Sequence, residues 1–96
     1  MTDIASTYDV STFYAFFSLE QRLLVRHQKA LVASMYKHAV KGTIILATEG
    51  VNATVAGGAE PLQAFISALK NILGCEFSQR ICSSKLQPFS KSKVKV

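Results

Sequence analysis

The chain has 96 residues, of which 49% are hydrophobic and 18% are charged. This length fits a single domain, and the apolar content excludes an intrinsically disordered chain. Two cysteines, Cys75 and Cys82, exclude a disulfide framework, and no apolar run approaches the ~20 residues of a membrane-spanning helix. The N-terminal residues lack the features of a signal peptide, so the sequence predicts a soluble cytoplasmic protein with no membrane contact.

The formal net charge of +5 is concentrated at the C-terminal end of the sequence. Lys85, Lys91, Lys93 and Lys95 lie within residues 85–96, which contain no acidic residue, and the rest of the chain carries a net charge of only +1. The basic isoelectric point is therefore weak evidence for nucleic-acid binding by itself.

The first predicted elements are a strand and a helix. Residues 1–9 are polar and irregular, which predicts a loose leader. Residues 10–17 are aromatic and β-branched, which is typical of a strand. Ser18 and Gln21 fit a capping box, so we predict a helix that begins there and reaches about residue 39.

A β-hairpin is predicted next, after Gly42. The β-branched and aliphatic residues at 43–48 and 52–56 predict two short strands. Glu49 and Gly50 lie between them and are typical of a turn. The two strands should therefore pair as an antiparallel hairpin.

The last predicted elements are a second helix and a fourth strand. Pro61 suits the first turn of the helix, and Gly74 suits the position just after its end. Residues 77–83 show enough alternation of apolar and polar side chains to predict a strand. The predicted buried stripe of the helix comprises Leu62, Phe65, Ile66, Leu69, Ile72 and Leu73.

This order of elements predicts a ferredoxin-like βαββαβ sandwich, which is an α+β fold. Its antiparallel four-stranded sheet carries both helices on one face. We assign this module to residues 10–85. Residues 86–96 are predicted to form a lysine-rich tail or a further strand.

The first predicted strand has aromatic side chains on both sides. Because alternate side chains point to opposite faces, Phe13, Ala15 and Phe17 share one face, and Tyr14 and Phe16 share the other. The face of the sheet without helices therefore receives an aromatic ring in either orientation. Two interpretations stay open: partial burial under the leader or tail, and a docking surface for another domain or for stacked RNA bases.

Basic residues of the first predicted helix fall within a narrow stripe opposite its apolar side. They are Arg22, Arg26, Lys29 and Lys37, and no acidic residue lies among them. The stripe is either a solvated helix surface or a surface that binds phosphates.

The sequence predicts no catalytic residue, metal site or cofactor site in this chain. Turn chemistry explains Gly50 and Asn52, and general acid–base catalysis by Glu49 would need a partner that is not evident. Cys75 and Cys82 are interpreted as small hydrophobic residues. No glycine-rich phosphate-binding loop is present.

Residues 42–57 resemble the Gly-x-Ile-Leu-Leu-Ala-x-Glu-Gly-Ile-Asn-Gly-Thr signature of a known family. It is the N-terminal, acylphosphatase-like module of rhodanese-containing tRNA uridine hydroxylases. Phe13-Tyr14 is similar to the start of that module and residues 88–96 are similar to its lysine-rich end, so the resemblance covers residues 12–96. It implies a tRNA-modifying enzyme that hydroxylates the wobble uridine at C5 with molecular oxygen.

The resemblance also implies which part this chain would play in the hydroxylation of tRNA. The family's catalytic cysteine lies in the rhodanese domain, so this module would contact tRNA and dock on that domain rather than catalyse. Glu49, Gly50 and Asn52 carry the family hairpin motif, although Ala53 replaces a glycine common in the family. The implied candidates for RNA binding are Arg22, Arg26, Lys29, Lys91, Lys93 and Lys95.

Two alternatives remain at this point. The chain could be a pure protein-interaction module whose open sheet face packs on the rhodanese domain. It could also be an acyl phosphate hydrolase, but the acylphosphatase site needs an arginine in a glycine-rich loop after the first strand. Residues 17–20, Phe-Ser-Leu-Glu, lack that arginine.

Overall fold

The computed structural model describes residues 7–96, so most of the leader predicted over residues 1–9 lies outside the described residues. The elements, in chain order, are β1 (Tyr8–Phe16), a 3₁₀ helix (Gln21–Leu23), α1 (Leu24–Lys37), β2 (Lys41–Ala47), β3 (Gly50–Gly57), α2 (Ala59–Leu73), β4 (Arg80–Ser84) and β5 (Ser92–Lys95). None of the helices in residues 7–96 has the length and apolar character needed to cross a membrane.

The strands form one mixed sheet in the order β4-β1-β3-β2-β5. The first four strands in this order are antiparallel neighbours, which is the ferredoxin-like arrangement that the sequence predicted. The prediction of four strands is wrong in one respect, because β5 adds a fifth strand that runs parallel to β2.

The path of residues 85–91 explains this parallel strand. After β4 the chain crosses one end of the sheet, where the Gln87 side chain donates a hydrogen bond to the Ala56 carbonyl (3.1 Å). It then reaches the start of β2, where the Gly42 N–H donates to the Lys91 carbonyl (2.8 Å). The chain therefore enters the edge beside β2 in the direction of β2.

Both helices cover one face of the sheet. The buried stripe of α2 matches the prediction except that Ile72 is only partly buried. Gly74 follows this helix with a φ of 68°, which confirms its predicted role as the left-handed residue at the helix end. The largest fully buried apolar side chains include Phe13, Ile44, Leu46 and Val55 from the sheet and Leu31, Met35, Phe65 and Leu69 from the helices.

The predicted capping box of Ser18 and Gln21 is wrong. The N-terminal cap of the 3₁₀ helix is Glu20, and α1 begins only at Leu24. The chain after β1 instead continues to pair with the hairpin, since the Leu19 N–H donates to the Thr48 carbonyl (2.9 Å). This pairing delays the start of the helix.

The boundaries of all four predicted strands differ from the prediction, and β2 and β3 each begin two residues earlier than predicted. β1 begins at Tyr8, so two residues assigned to the leader belong to the sheet, and Tyr8 pairs with Ser84. β4 begins at Arg80 rather than at residue 77. Phe77 instead stacks on Phe13, with 4.4 Å between ring centroids, so the chain ahead of β4 closes the core.

Candidate functional site

The face of the sheet that carries no helix, here called the open face, presents its side chains in rows across the strands. Strand register places five side chains in one row, here called the threonine row: Arg80 on β4, Thr12 on β1, Thr54 on β3, Thr43 on β2 and Lys93 on β5. Three hydroxyl groups therefore lie between two cationic side chains, one near each edge of the sheet.

A second row, here called the aromatic row, lies one step further along the strands. It comprises Tyr14 on β1, Asn52 on β3, Ile45 on β2 and Lys95 on β5. Phe16 follows Tyr14 on the same face of β1, and the two rings meet edge to face at 5.6 Å between centroids. The aromatic row, together with Phe16 beside it, thus combines two aromatic rings, an amide and a cation.

The aromatic rings of the open face are uncovered in the described part of the chain. Tyr14 is 65% exposed and Phe16 is 83% exposed, whereas Phe13, on the helix side of the same strand, is 2% exposed. Residues 85–91 cross the other end of the sheet, so the interpretation that the tail buries these rings is wrong. Of the leader predicted over residues 1–9, which is the other predicted cover, residues 1–6 lie outside the described range.

The hairpin motif lies at the end of the open face that carries Tyr14 and Phe16, and it packs closely against β1. Thr48 and Glu49 form the turn, one residue earlier than the predicted turn of Glu49 and Gly50, and Gly50 begins β3. Gly50 has a φ of 145°, and a Cβ at this position would lie 2.0 Å from the Ala15 carbonyl oxygen. Because the backbone of β1 passes so close, Gly50 has a structural role, although it lies at the start of β3 rather than in the turn.

Glu49 and Asn52 border a shallow depression on the open face. Its volume is about 410 Å³, and Tyr14, Phe16 and Ile45 contribute to its lining. Asn52 lies within β3 rather than in the turn, and its exposed side chain stands opposite Tyr14. The hairpin motif and the aromatic rings therefore form one surface.

The predicted basic residues fall into two groups that the sheet separates. Lys93 and Lys95 point to the open face, because Val94 between them is buried beneath α1. Arg26 and Lys29 are exposed on α1, in the helical layer.

The two remaining candidates differ in their surroundings. Lys91 is exposed just before β5, and its carbonyl accepts a hydrogen bond from the Gly42 N–H at the start of β2. Arg22 lies in the 3₁₀ helix and pairs with the Glu20 carboxylate at 2.9 Å. Glu20 lies outside the predicted basic stripe, but its carboxylate contacts the first residue of that stripe.

Sequence reasoning missed Arg80, Lys41 and the threonine row. Lys41 is exposed on the open face, where its register partner is Ala56. These residues come from all five strands, and only the register aligns them. The available signal was the alternation within each strand, which gives the face of a side chain but not its neighbours.

The connection between β1 and α1 is already engaged in hydrogen bonding. The Phe17 N–H donates to the Glu49 carbonyl (3.0 Å), and the Leu19 N–H donates to the Thr48 carbonyl (2.9 Å). These two amides are therefore not free to bind a phosphate group. Together with the lack of arginine in residues 17–20, this argues against acyl phosphate hydrolysis at this connection.

A larger cleft of about 940 Å³ lies between the end of β1 and residues 74–80. Burial raises the pKa of the Cys75 thiol, and the neighbouring Glu76 carboxylate raises it further, against a smaller opposite effect of Lys70. A raised pKa disfavours the reactive thiolate. Within residues 7–96, no group of three or more His, Cys, Asp or Glu side chains is arranged to hold a metal ion.

Comparison with protein families and with curated proteins gives consistent matches. The family model described as UPF0176 acylphosphatase like domain matches residues 8–96. A protein of Pelagibacter ubique named tRNA uridine(34) hydroxylase is 42% identical over 91 residues, covering 93% of this chain and 30% of that protein. A protein of the same name from Ehrlichia ruminantium is 38% identical over 96 residues, covering 93% of this chain and 32% of that protein. The chain thus spans about a third of the length of these relatives.

Solved structures agree on the fold. The acylphosphatase from Coxiella burnetii matches with a TM-score of 0.61 and 6% identity, over 94% of each chain. The acylphosphatase from Bacillus subtilis matches with a TM-score of 0.56 and 15% identity, over 94% of this chain and 97% of that one. At such low identity the likeness concerns the fold alone.

Proposed function

The chain belongs to the UPF0176 acylphosphatase-like domain family, and we propose that it is the tRNA-contacting module of a cytoplasmic tRNA uridine(34) hydroxylase. The name of its relatives suggests the substrate. In this proposal the complete enzyme hydroxylates the wobble uridine at C5 with molecular oxygen. The catalytic cysteine belongs to a rhodanese domain of the same polypeptide, and the module described here does not catalyse.

The observation that supports tRNA contact is the alignment of Lys93 and Lys95 on the open face, beside exposed aromatic rings. Cationic side chains neutralise phosphates and release counterions, which is the main electrostatic contribution to nucleic-acid binding. Arg80 adds a cation near the opposite edge of the same face. Arg22 is the weakest of the candidates, because its guanidinium already contacts the Glu20 carboxylate at 2.9 Å.

The test is a heteronuclear NMR titration of this chain with unmodified tRNA at low and moderate salt. We expect shifts at Lys91, Lys93 and Lys95 that weaken as salt rises. Replacing all three lysines by alanine should reduce the slope of log affinity against log salt by about two to three. The double variant Arg26→Ala/Lys29→Ala removes two cations from the helical layer instead, and the change in slope that it causes measures the helical share of the contact. If tRNA causes no shifts at either salt, the proposal is wrong.

A second candidate function is docking on the rhodanese domain of the same polypeptide. It is supported by the exposure of Tyr14, Phe16 and Ile45, which form an apolar patch on one face. Docking predicts slower hydrogen exchange in β1 when the module is part of a longer chain that includes the rhodanese domain. Equal protection of β1 in the isolated and the longer chains would argue against it.

A further inference from the structure

We propose that the open face binds unpaired RNA nucleotides, with one base seated in the depression beside Tyr14 and Phe16. This inference rests on the proposed tRNA contact and names the part of the RNA that is contacted. The single-stranded character of the ligand follows from three features of the face: its uncovered rings, the position of its cations and the Glu49 carboxylate beside the depression.

The uncovered rings require a partner that itself has a free flat surface. Tyr14 and Phe16 are held edge to face, at an interplanar angle of 63°, and both are largely exposed. A base stacks favourably on an exposed aromatic ring whatever its identity. Bases within a duplex are already stacked and paired, so only an unpaired nucleotide can use these rings.

The cations lie where the phosphates of such a strand would run. Lys93 and Lys95 lie at the same end of the two rows, on β5. Strands are about 4.8 Å apart, so the aromatic row extends about 14 Å from Lys95 to Tyr14. A nucleotide whose phosphate contacts Lys95 can therefore direct its base toward the depression, and the threonine hydroxyls offer further donors and acceptors.

The Glu49 carboxylate indicates where a base rather than a phosphate lies. A carboxylate repels a phosphate, but it accepts hydrogen bonds from the N–H groups of a base. Asn52 borders the same depression and can both donate and accept. The two side chains thus suit the hydrogen-bonding edge of a base that stacks on the neighbouring rings.

The charge of the open face favours RNA over a docked protein domain. The cores of protein–protein interfaces are depleted of charged residues, and lysine is depleted at interfaces generally. Here Lys93 and Lys95 end the two rows, and Arg80 lies at the other end of the threonine row. Charge complementarity therefore selects a polyanion as the occupant.

The experiment measures binding of a short fluorescent oligouridylate to the chain by anisotropy. The variants Tyr14→Ala and Phe16→Ala should each bind about tenfold more weakly, because each loses a stacking surface. Tyr36→Ala is the matched control: Tyr36 is 70% exposed on α1, away from the sheet, and its loss should leave binding unchanged. Since all three side chains are exposed, circular dichroism should show unchanged folding.

Two further outcomes separate this inference from the proposed function. If a duplex RNA binds as tightly as the oligouridylate, and Tyr14→Ala and Phe16→Ala weaken neither, single-strand binding is overturned while tRNA contact through the lysines stands. If neither RNA binds, and a rhodanese domain instead shifts the NMR signals of Tyr14 and Phe16, both are overturned for this face. The open face is then a docking surface.

Discussion

The strand β1 contributes aromatic side chains to both faces of the sheet, and these side chains are buried on one face and exposed on the other. On the helix side, Phe13 is buried and stacks on Phe77. On the open face, Tyr14 and Phe16, one and three residues further along the same strand, remain exposed. Burying one such side chain contributes about 1.5–3 kcal/mol to stability, which the two exposed rings forgo. The covered face therefore accounts for folding, and the open face requires a functional explanation.

Replacing Phe13 and Phe16 separately by alanine tests this division most directly. Phe13→Ala should lower the free energy of unfolding by about 3–5 kcal/mol, because it leaves a cavity in the core on the helix side of the sheet. Phe16→Ala should change it by no more than about 0.5 kcal/mol, because the ring is exposed. Chemical denaturation of the two variants measures both values. Similar losses would mean that the open face also contributes to the core.

The glycine of the hairpin motif gives the next largest expected effect on stability. Gly50→Ala should lower the free energy of unfolding by about 3 kcal/mol, since it combines a strained φ with a Cβ 2.0 Å from the Ala15 carbonyl oxygen. The control is Gly74→Ala, where φ is also positive but no atom lies within 4 Å of the new Cβ.

The control should cost about 1–2 kcal/mol, from backbone strain alone. Thermal or chemical unfolding of both variants measures the difference. If the two substitutions cost the same, the close passage of β1 does not constrain the hairpin, and the motif needs a purely functional reason.

Sequence reasoning succeeded where the interactions are local. The stripe of α2 repeats with the helical period, Pro61 lies in its first turn, and Gly74 ends it with a left-handed conformation. Each of these signals depends on residues only a few positions apart. The hairpin was predictable for the same reason, apart from a shift of one residue in its turn.

Sequence reasoning failed where residues distant in sequence decide the structure. Leu19 bonds to the hairpin turn, which overrides the capping signal at Ser18. β5 pairs with β2 because residues 85–91 cross the sheet, and no local pattern specifies that path. The alignment of Arg80 with Lys93 across the threonine row depends on four separate registers. The open face was therefore predictable as a surface with rings, but not in the arrangement of its charges.

The two cysteines provide a chemical probe of the same contrast, with the smallest expected effect. Cys82 is exposed on β4, whereas Cys75 is partly buried and packs against the core. Burial and Glu76 raise the pKa of the Cys75 thiol, so a smaller fraction of it is thiolate at neutral pH. A thiol-specific reagent should therefore label Cys82 several-fold faster than Cys75, and the rate at Cys75 should rise as the solution becomes alkaline. The single variants Cys75→Ser and Cys82→Ser assign the two rates. Equal rates at neutral pH would show that the segment around Cys75 opens readily, so that the helix side of the sheet is less firmly closed than its packing indicates.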